Sequence, residues 1–517
     1  MLLLISATPP CQGGNILVFP IEGSHWVNME ILLEKLHTRG HTLTVLRMTD
    51  SLHVKENSPL YTTLNIPSTF EGMYENFGQF IEEHFKLQRE GSSVMTFSKM
   101  TRNLHSMLTN VHTVHCDALD KAMEDEEFRR RLKEPMFDML LTDPALAPGV
   151  FLAKYLSLPL VLNVRWTAGI DGQLVAAPSP LSYIPMVGSG LTDNMTFFER
   201  IQNVLYYGIF LFHKEFMIKP IYSALCDKYL GQPCDIYDLC QEADILLFRS
   251  DFVFDFPRPT MPNIFYIGGY QCKPSQPLPA DLESFVQSAG KHGVILFTLG
   301  TMVKSLPTEL ADEIAAVFAK MPHKVIWKNL GDRPSTLGNN TLMVDWMPQV
   351  DLLGHPQTKV LVGHGGTNGI QEAIYHGVPV LGIPVFFDQY DNLLRLERKG
   401  AARILELADF NAKNFESNLR EILQQQSYRE NMQRLSRLFR DQPMTPMGLA
   451  IFWVEYVIRN KGASHLRTEA YKMPWYSYYC FDVMLLFFAA LVVQVLATVA
   501  FCRFLCCRKT NTKTKQH

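Results

Sequence analysis

The run Gly363-His364-Gly365-Gly366-Thr367-Asn368-Gly369 holds the residue types that an anion site needs. Glycines let the backbone approach closely, and the free N–H groups and dipole of a helix that begins there favour a phosphate. Residues 359–362, just before it, read as a buried strand, and residues 370–376, just after it, have helical spacing. A second apolar run, 378–384, reads as another buried strand and delivers Asp388 and Gln389 at its carboxyl end, where ligands of open α/β sheets sit. Trp346 stands just upstream as an aromatic surface. In the first half of the chain His25 follows the apolar run 15–19, and Asp143 follows the apolar run 135–141. A hydroxyl is a poor nucleophile at neutral pH, and an imidazole with an acidic partner on its other nitrogen is a recurrent means of activating one. Both residues stand at the ligand-binding ends of strands, so they can converge on one cleft.

The elements that must position these residues alternate between strand and helix. Residues 15–19 are predicted as a strand, 27–37 as an amphipathic helix and 42–46 as the next strand, a right-handed βαβ start. The intervening loop 20–26 carries His25 and lacks G-x-G-x-x-G; no strand is followed by that fingerprint, which disfavours a Rossmann oxidoreductase. Residues 70–134 mix aromatic and charged positions at roughly helical spacing, with a solvated helix end at 124–131. Residues 158–163 repeat the strand pattern. Residues 196–230 are dense in Phe, Tyr, Leu and Ile and are expected to form a buried helix pair. The alternatives are a face that leans on a membrane or the wall of an apolar pocket. A strand at 244–248, the rigid loop Phe256-Pro257-Arg258-Pro259 and residues 264–268 close the first half. The proline-rich connector 273–279 is the best domain boundary. Strands at 294–299 and 324–328 flank the loop Gly300-Thr301 and a helix at 308–320. Helices at 412–426, 428–440 and 451–460 follow. Two runs of βα units imply an α/β protein of two facing Rossmann-like domains with a cleft between them.

A chain of 517 residues is too long for one core, so two domains plus accessories are expected. A formal net charge of −3 with 19% charged residues argues against a nucleic-acid binder, which would present a basic face. Of the ten cysteines, Cys226, Cys234, Cys240 and Cys272 cluster loosely and could pair; none has convincing metal-site spacing. Residues 1–7, MLLLISA, look like the end of a signal-peptide apolar region. Residues 483–501 are apolar except for Gln494 and Thr498, about the length needed to cross a bilayer. Tyr476, Tyr478 and Tyr479 precede that run as an interfacial belt. Arg503, Arg508, Lys509, Lys513 and Lys515 follow it and place this flank in the cytosol, hence the main body outside it. The tail resembles a dilysine retrieval signal; the plainer reading is a basic stop-transfer tail. Asn194-Met195-Thr196 and Asn339-Asn340-Thr341 are acceptor patterns for N-glycosylation.

From Trp346 to Gln389 the order WMPQVDLLGHPQTKVLVGHGGTNGIQEAIYHGVPVLGIPVFFDQ resembles the signature of the UDP-glycosyltransferase superfamily, and specifically of the membrane-bound UDP-glucuronosyltransferases of animals. The likeness runs from about Gly14 to the C-terminal tail. It implies the GT-B architecture and a division into a partial signal peptide (1–14), an acceptor-binding Rossmann-like domain (15–276) and a UDP-sugar-binding Rossmann-like domain (277–440). C-terminal helices and a membrane approach (441–482), a transmembrane helix (483–502) and a cytosolic basic tail (503–517) would complete the chain. Gly23-Ser24-His25-Trp26 and Thr142-Asp143-Pro144 look like the family's base and its orienting carboxylate. The resemblance implies that Trp346 stacks on uracil, Gln349 lies near the base or ribose, and Glu372 meets the ribose hydroxyls. His364, Asn368 and the N–H groups around Gly366 and Gly369 would hold the diphosphate, with Thr301 adding a hydroxyl. Asp388 and Gln389 would bind the transferred sugar, and Arg258 the carboxylate of a glucuronate. No metal and no cofactor beyond the donor UDP-glucuronate is called for, since backbone dipoles and an imidazole would supply the positive character.

The chain departs from the family pattern at Gly363, Tyr390 and Lys328, where a hydroxyl residue, Pro and Arg are common. Those changes loosen the choice of donor sugar, with UDP-glucose the alternative. The implied acceptors are small lipophilic phenols, alcohols, steroids or bile-acid-like compounds. The implied location is the endoplasmic reticulum membrane, type I, with a lumenal body. Association with copies or relatives is also implied, although no interface is readable. A catalytically idle, membrane-tethered partner of an active relative is the reading of a different class, and the intact His25, Asp143, Trp346, Glu372, Asp388 and Gln389 speak against it.

Overall fold

The computed structural model describes residues 13–68, 73–91, 93–134, 136–165, 177–301, 303 and 305–511. The apolar start through residue 12 and the tail from 512, with Lys513 and Lys515, lie outside the described residues. The chain divides into two compact units, one ending at Leu466 and the other spanning Arg467–His517.

The first unit contains two sheets whose strands are all parallel. In chain order the first sheet comprises β1 (Asn15–Phe19), β2 (Thr42–Met48), β3 (Thr62–Ile66), β4 (Met139–Thr142), β5 (Leu160–Val164), β6 (Ile245–Phe248) and β7 (Ile264–Tyr266). The second comprises β8 (Val294–Thr298), β9 (Lys324–Lys328), β10 (Thr341–Val344), β11 (Thr358–Gly363), β12 (Val380–Gly382) and β13 (Ala402–Ile404). Helices cover both faces of each sheet, so the central strands read as unbroken apolar runs; β4, β5, β6 and β8 are buried at every residue. The spatial orders are β3-β2-β1-β4-β5-β6-β7 and β10-β9-β8-β11-β12-β13. Each sheet therefore reverses its winding once, between β1 and β4 in the first and between β8 and β11 in the second. The crevice outside the carboxyl ends of those two strand pairs is where a doubly wound sheet binds its ligand.

Several elements differ from the sequence expectation in ways that matter for the site. The first helix spans Ser24–Thr38, so His25 lies in its first turn and not in the preceding loop. Gly23, at φ 70°, makes the sharp entry that lets the helix begin that early. The helix Thr367–His376 likewise begins before residue 370, within the glycine run itself. The C-terminal helix Pro446–Asn460, expected as an apolar approach to the membrane, returns to the first sheet. Its Ala450, Val454 and Val457 are buried in the cluster that holds Trp26, Leu32 and Val45, and Trp453 stacks on Phe265 at 3.8 Å.

Residues 196–230 do not form a buried pair. The helix Phe197–His213 is started by a capping box between Thr196 and Glu199. It exposes Phe197, Phe198, Leu205 and Phe212 while burying Phe210 and His213. A π-helical segment, Lys214–Ile218, joins it to the helix Lys219–Leu230. Of the clustered cysteines, Cys226 and Cys234 form a disulfide.

In the second unit the helix Phe481–Asn511 contains the apolar stretch Phe481–Cys506, of mean hydropathy 2.6 and unburied throughout. That exceeds the roughly 20 apolar residues needed to span a bilayer. One helix of the described residues thus fits a membrane span.

Candidate active site

A cavity of about 1400 Å³ lies outside the carboxyl ends of both sheets. Its lining includes His25 after β1, Arg165 after β5, Thr301 after β8, Lys328 at the end of β9, His364 after β11 and Asp388 after β12.

On the first sheet, His25 Nδ1 lies 2.7 Å from Asp143 Oδ2. The two residues are separated by 118 positions and meet because β1 and β4 are neighbours. Asp143 is 1% exposed, and its other carboxylate oxygen accepts the Ala145 N–H at 3.0 Å. Burial raises the Asp143 pKa, but His25, the Arg249 guanidinium and that N–H outweigh it and hold the carboxyl below its ordinary value. Burial also lowers the His25 pKa; Asp143 opposes this and Arg165 adds to it. The imidazole is therefore neutral at physiological pH, with Nδ1–H donated to Asp143 and the lone pair left on Nε2. Arg249 Nη2 stands 4.0 Å from Asp143 Oδ2, itself buried. Arg165 donates to Ser24 Oγ at 2.6 Å. Burial lowers its guanidinium to about 10, against the pull of Asp388 across the cleft.

On the second sheet the anion turn is built around an imidazole. A Cβ at Gly300 would stand 2.7 Å from His364 Cε1, and one at Gly366 would stand 2.4 Å from His364 Nε2, so two glycines clasp the ring. Burial pushes His364 down to about 4, with Asp388 opposing. Without a bound anion the ring is therefore uncharged. Fixed positive charge comes instead from Lys328, whose Nζ donates to Gly300 O at 2.8 Å, and from Arg165. No side chain caps the helix Thr367–His376, leaving its first N–H groups to an anion. Gly369 borders the same space, with Gln349 beside it.

Asn368 Oδ1 accepts from Asn28 Nδ2 at 2.9 Å, which ties the two domains together across the cleft. Glu372 accepts from Gln349 Nε2 at 2.6 Å, and burial pushes its carboxyl up to about 7. Trp346 is 69% exposed and borders the cavity, open to a stacking partner. Asp388 accepts from Thr367 Oγ1 at 3.1 Å and from Asn392 Nδ2 at 2.7 Å. The Gln389 side-chain oxygen accepts from the Val385 and Phe386 N–H groups at 2.8 and 3.2 Å. These bonds hold a turn in which Phe387 adopts φ 56°, unusual for a non-glycine residue.

Arg258 is not brought to this cavity. Its Nη2 donates to Ser179 Oγ at 2.6 Å beside a small separate crevice that includes Tyr183 and Arg395. Arg165, Arg249 and Asn28 were not singled out by sequence reasoning. The two arginines each follow an apolar strand directly, a signal that a search for polar residues at strand ends would find. Asn194 and Asn339 are both exposed. Among the described residues no group of three His, Cys, Asp or Glu stands together to hold a metal ion.

Two doubly wound parallel sheets facing one cleft make up the GT-B fold. Solved structures share that fold: the glycosyltransferase of kitacinnamycin (TM-score 0.58, 16% identity, 87% of this chain and 100% of that one) and the calicheamicin glycosyltransferase CalG4 (TM-score 0.57, 18% identity, 87% and 99%). The family model described as UDP-glucoronosyl and UDP-glucosyl transferase matches residues 14–516. Similar curated proteins include UDP-glucuronosyltransferase 1A5 of Rattus norvegicus, 38% identical over 100% of this chain and 98% of that protein. UDP-glucuronosyltransferase 2A2 of Homo sapiens is 38% identical over 97% and 94%. The chain belongs to the UDP-glycosyltransferase family, with animal UDP-glucuronosyltransferases as its relatives, and is an enzyme that uses a UDP-sugar donor.

Proposed function

We propose that this enzyme transfers glucuronic acid from UDP-glucuronate to a hydroxyl of a small lipophilic acceptor, inverting the anomeric centre. The observation that carries the reading is the His25–Asp143 pair, whose His25 lines the same cavity as the anion turn 363–369 while Asp143 supports it from behind. His25 Nε2 takes the acceptor hydroxyl proton as the oxygen attacks the anomeric carbon, while the bond from that carbon to the diphosphate breaks and UDP leaves with the electron pair. Asp143 stabilises the imidazolium that forms and holds its tautomer. The helix N-terminus at Thr367, with Gly366, Gly369 and Thr301, receives the charge that develops on the diphosphate beside His364, aided by Lys328. Trp346 and Gln349 hold the uracil, Glu372 the ribose, and Asp388 with Gln389 the sugar.

Two cations in the cavity, Arg165 and Lys328, support an anionic sugar, and Arg165 takes the carboxylate-binding place expected of Arg258. UDP-glucose is the second reading, favoured by the placement of Arg258 on Ser179, away from the cavity. The apolar helix Phe481–Asn511 supports a membrane anchor, and the basic flank supports a lumenal body in the endoplasmic reticulum with glycans on Asn194 and Asn339.

Microsomes expressing the chain, incubated with UDP-glucuronate or UDP-glucose and a panel of simple phenols, test the reading. Glucuronide alone is the expected product. Glucoside alone assigns the second donor, and UDP binding without any conjugate moves the idle-partner reading to the front.

A further inference from the structure

Beyond the groups assigned to transfer, the cavity wall carries a second polar cluster. His112, His115, His213 and Tyr222 border it, amid apolar side chains that include Leu104, Met107, Phe210 and Ile218. His213 is 1% exposed, and its Nδ1 has no hydrogen-bond partner among the described residues. Its ring lies 4.3 Å from that of His105. The π-helical segment Lys214–Ile218 begins at the next residue; such widened turns inside helices are frequent at functional sites. His112 Nδ1 lies 2.7 Å from the Tyr222 hydroxyl, which accepts the Ala147 N–H at 3.0 Å. The cluster is therefore anchored to the segment that follows Asp143, on the acceptor side of the cavity. Burial holds His112 at about 3 and His213 at about 4, so both rings are polar but uncharged at physiological pH.

A buried nitrogen left without a partner is costly, and His213 lines the cavity, so a ligand that displaces the ring slightly toward it can supply the partner. We infer that His213 and His112 form a subsite for a second, uncharged hydroxyl of the acceptor, carried on the same lipophilic frame as the hydroxyl that reacts at His25. A hydroxyl both donates and accepts, so it matches either imidazole tautomer. A carboxylate could accept from a neutral ring, but it would bury an uncompensated charge against the apolar wall. The inference rests on the proposed transferase reading and gives it a preference for bifunctional acceptors.

The test uses full-length protein in nanodiscs and two acceptor pairs that differ by one distal hydroxyl. These are 4-phenylphenol with 4,4′-dihydroxybiphenyl, and 2-naphthol with 2,6-dihydroxynaphthalene. Dissociation constants are measured by calorimetry alongside kcat/KM, so that a failure of transfer is distinguished from a failure of the subsite. The expected result is a preference of about tenfold for the diol in at least one pair. His213→Phe should remove that preference, and His213→Asn, which keeps a donor and an acceptor, should retain part of it. Equal binding of monohydric and dihydric members in both pairs overturns the subsite, and so does a preference that survives His213→Phe.

Discussion

A base must be neutral before it can accept a proton, and burial keeps His25 in that state while Asp143 fixes its tautomer. His25→Ala should lower kcat by roughly 10²-fold or more while UDP binding persists, measured as conjugate formed and as UDP affinity. Near-normal turnover would remove His25 from the mechanism. Glu372 behaves differently, because burial pushes its carboxyl from 4.5 up to about 7. The proton is bound more tightly in the folded chain, so the stability this residue contributes is present below about pH 4.5 and lost as pH rises through about 7. Its ionised form is the one that accepts hydrogen bonds from ribose hydroxyls. UDP affinity should therefore strengthen as pH rises through 7, and Glu372→Gln should flatten that dependence. A pH-independent UDP affinity in the parent enzyme would count against the ribose assignment.

At the level of elements, the anion turn works because β11 runs into the glycine-rich stretch 363–369 and a helix begins before the side chains can crowd the ring of His364. A Cβ at Gly366 would collide with His364 Nε2, a buried ring with little room to move. Gly366→Ala should raise the donor KM by about tenfold or more with a smaller change in acceptor KM, read from initial rates against each substrate. Equal changes in both would indicate general damage to the fold. The helix Ser24–Thr38 shows the same economy of position: its early start at a left-handed glycine aims His25 at the strand neighbour that carries Asp143.

At the scale of the whole molecule, the two domains are locked by polar contacts across the cleft. Arg395 Nε lies 2.8 Å from Asp255 Oδ1, with both side chains largely buried. Asp391 accepts the Gly188 and Gly190 N–H groups at 2.5 and 3.3 Å. Gln371 donates to Arg249 O at 2.7 Å and accepts the Gly269 N–H at 3.1 Å. Removing one partner of a buried pair strands the other charge, so Asp255→Ala should destabilise the enzyme by about 3 kcal/mol or more. The measurement is the midpoint of chemical denaturation, and an unchanged midpoint would show that water reaches Arg395.

Local pattern in the sequence was enough to place most strands, the glycine turn and the membrane-length helix. The cause is physical: strands buried on both faces need unbroken apolar runs, a tight anion turn needs glycines, and a bilayer sets a minimum apolar length. The family motifs likewise marked His25, Asp143, Trp346, Glu372 and Asp388, all of which border the cavity or, for Asp143, lie directly behind it. Only the tertiary structure decided which distant residues meet. It brought Asp143 to His25, Asn28 to Asn368 and the helix Pro446–Asn460 back to the first sheet. It also kept Arg258 on Ser179, put Arg165 in the cavity, and gathered four histidines from two helices beside Tyr222. Such meetings depend on strand order and helix packing, which join positions a hundred or more residues apart and leave no periodic trace in the stretches they join.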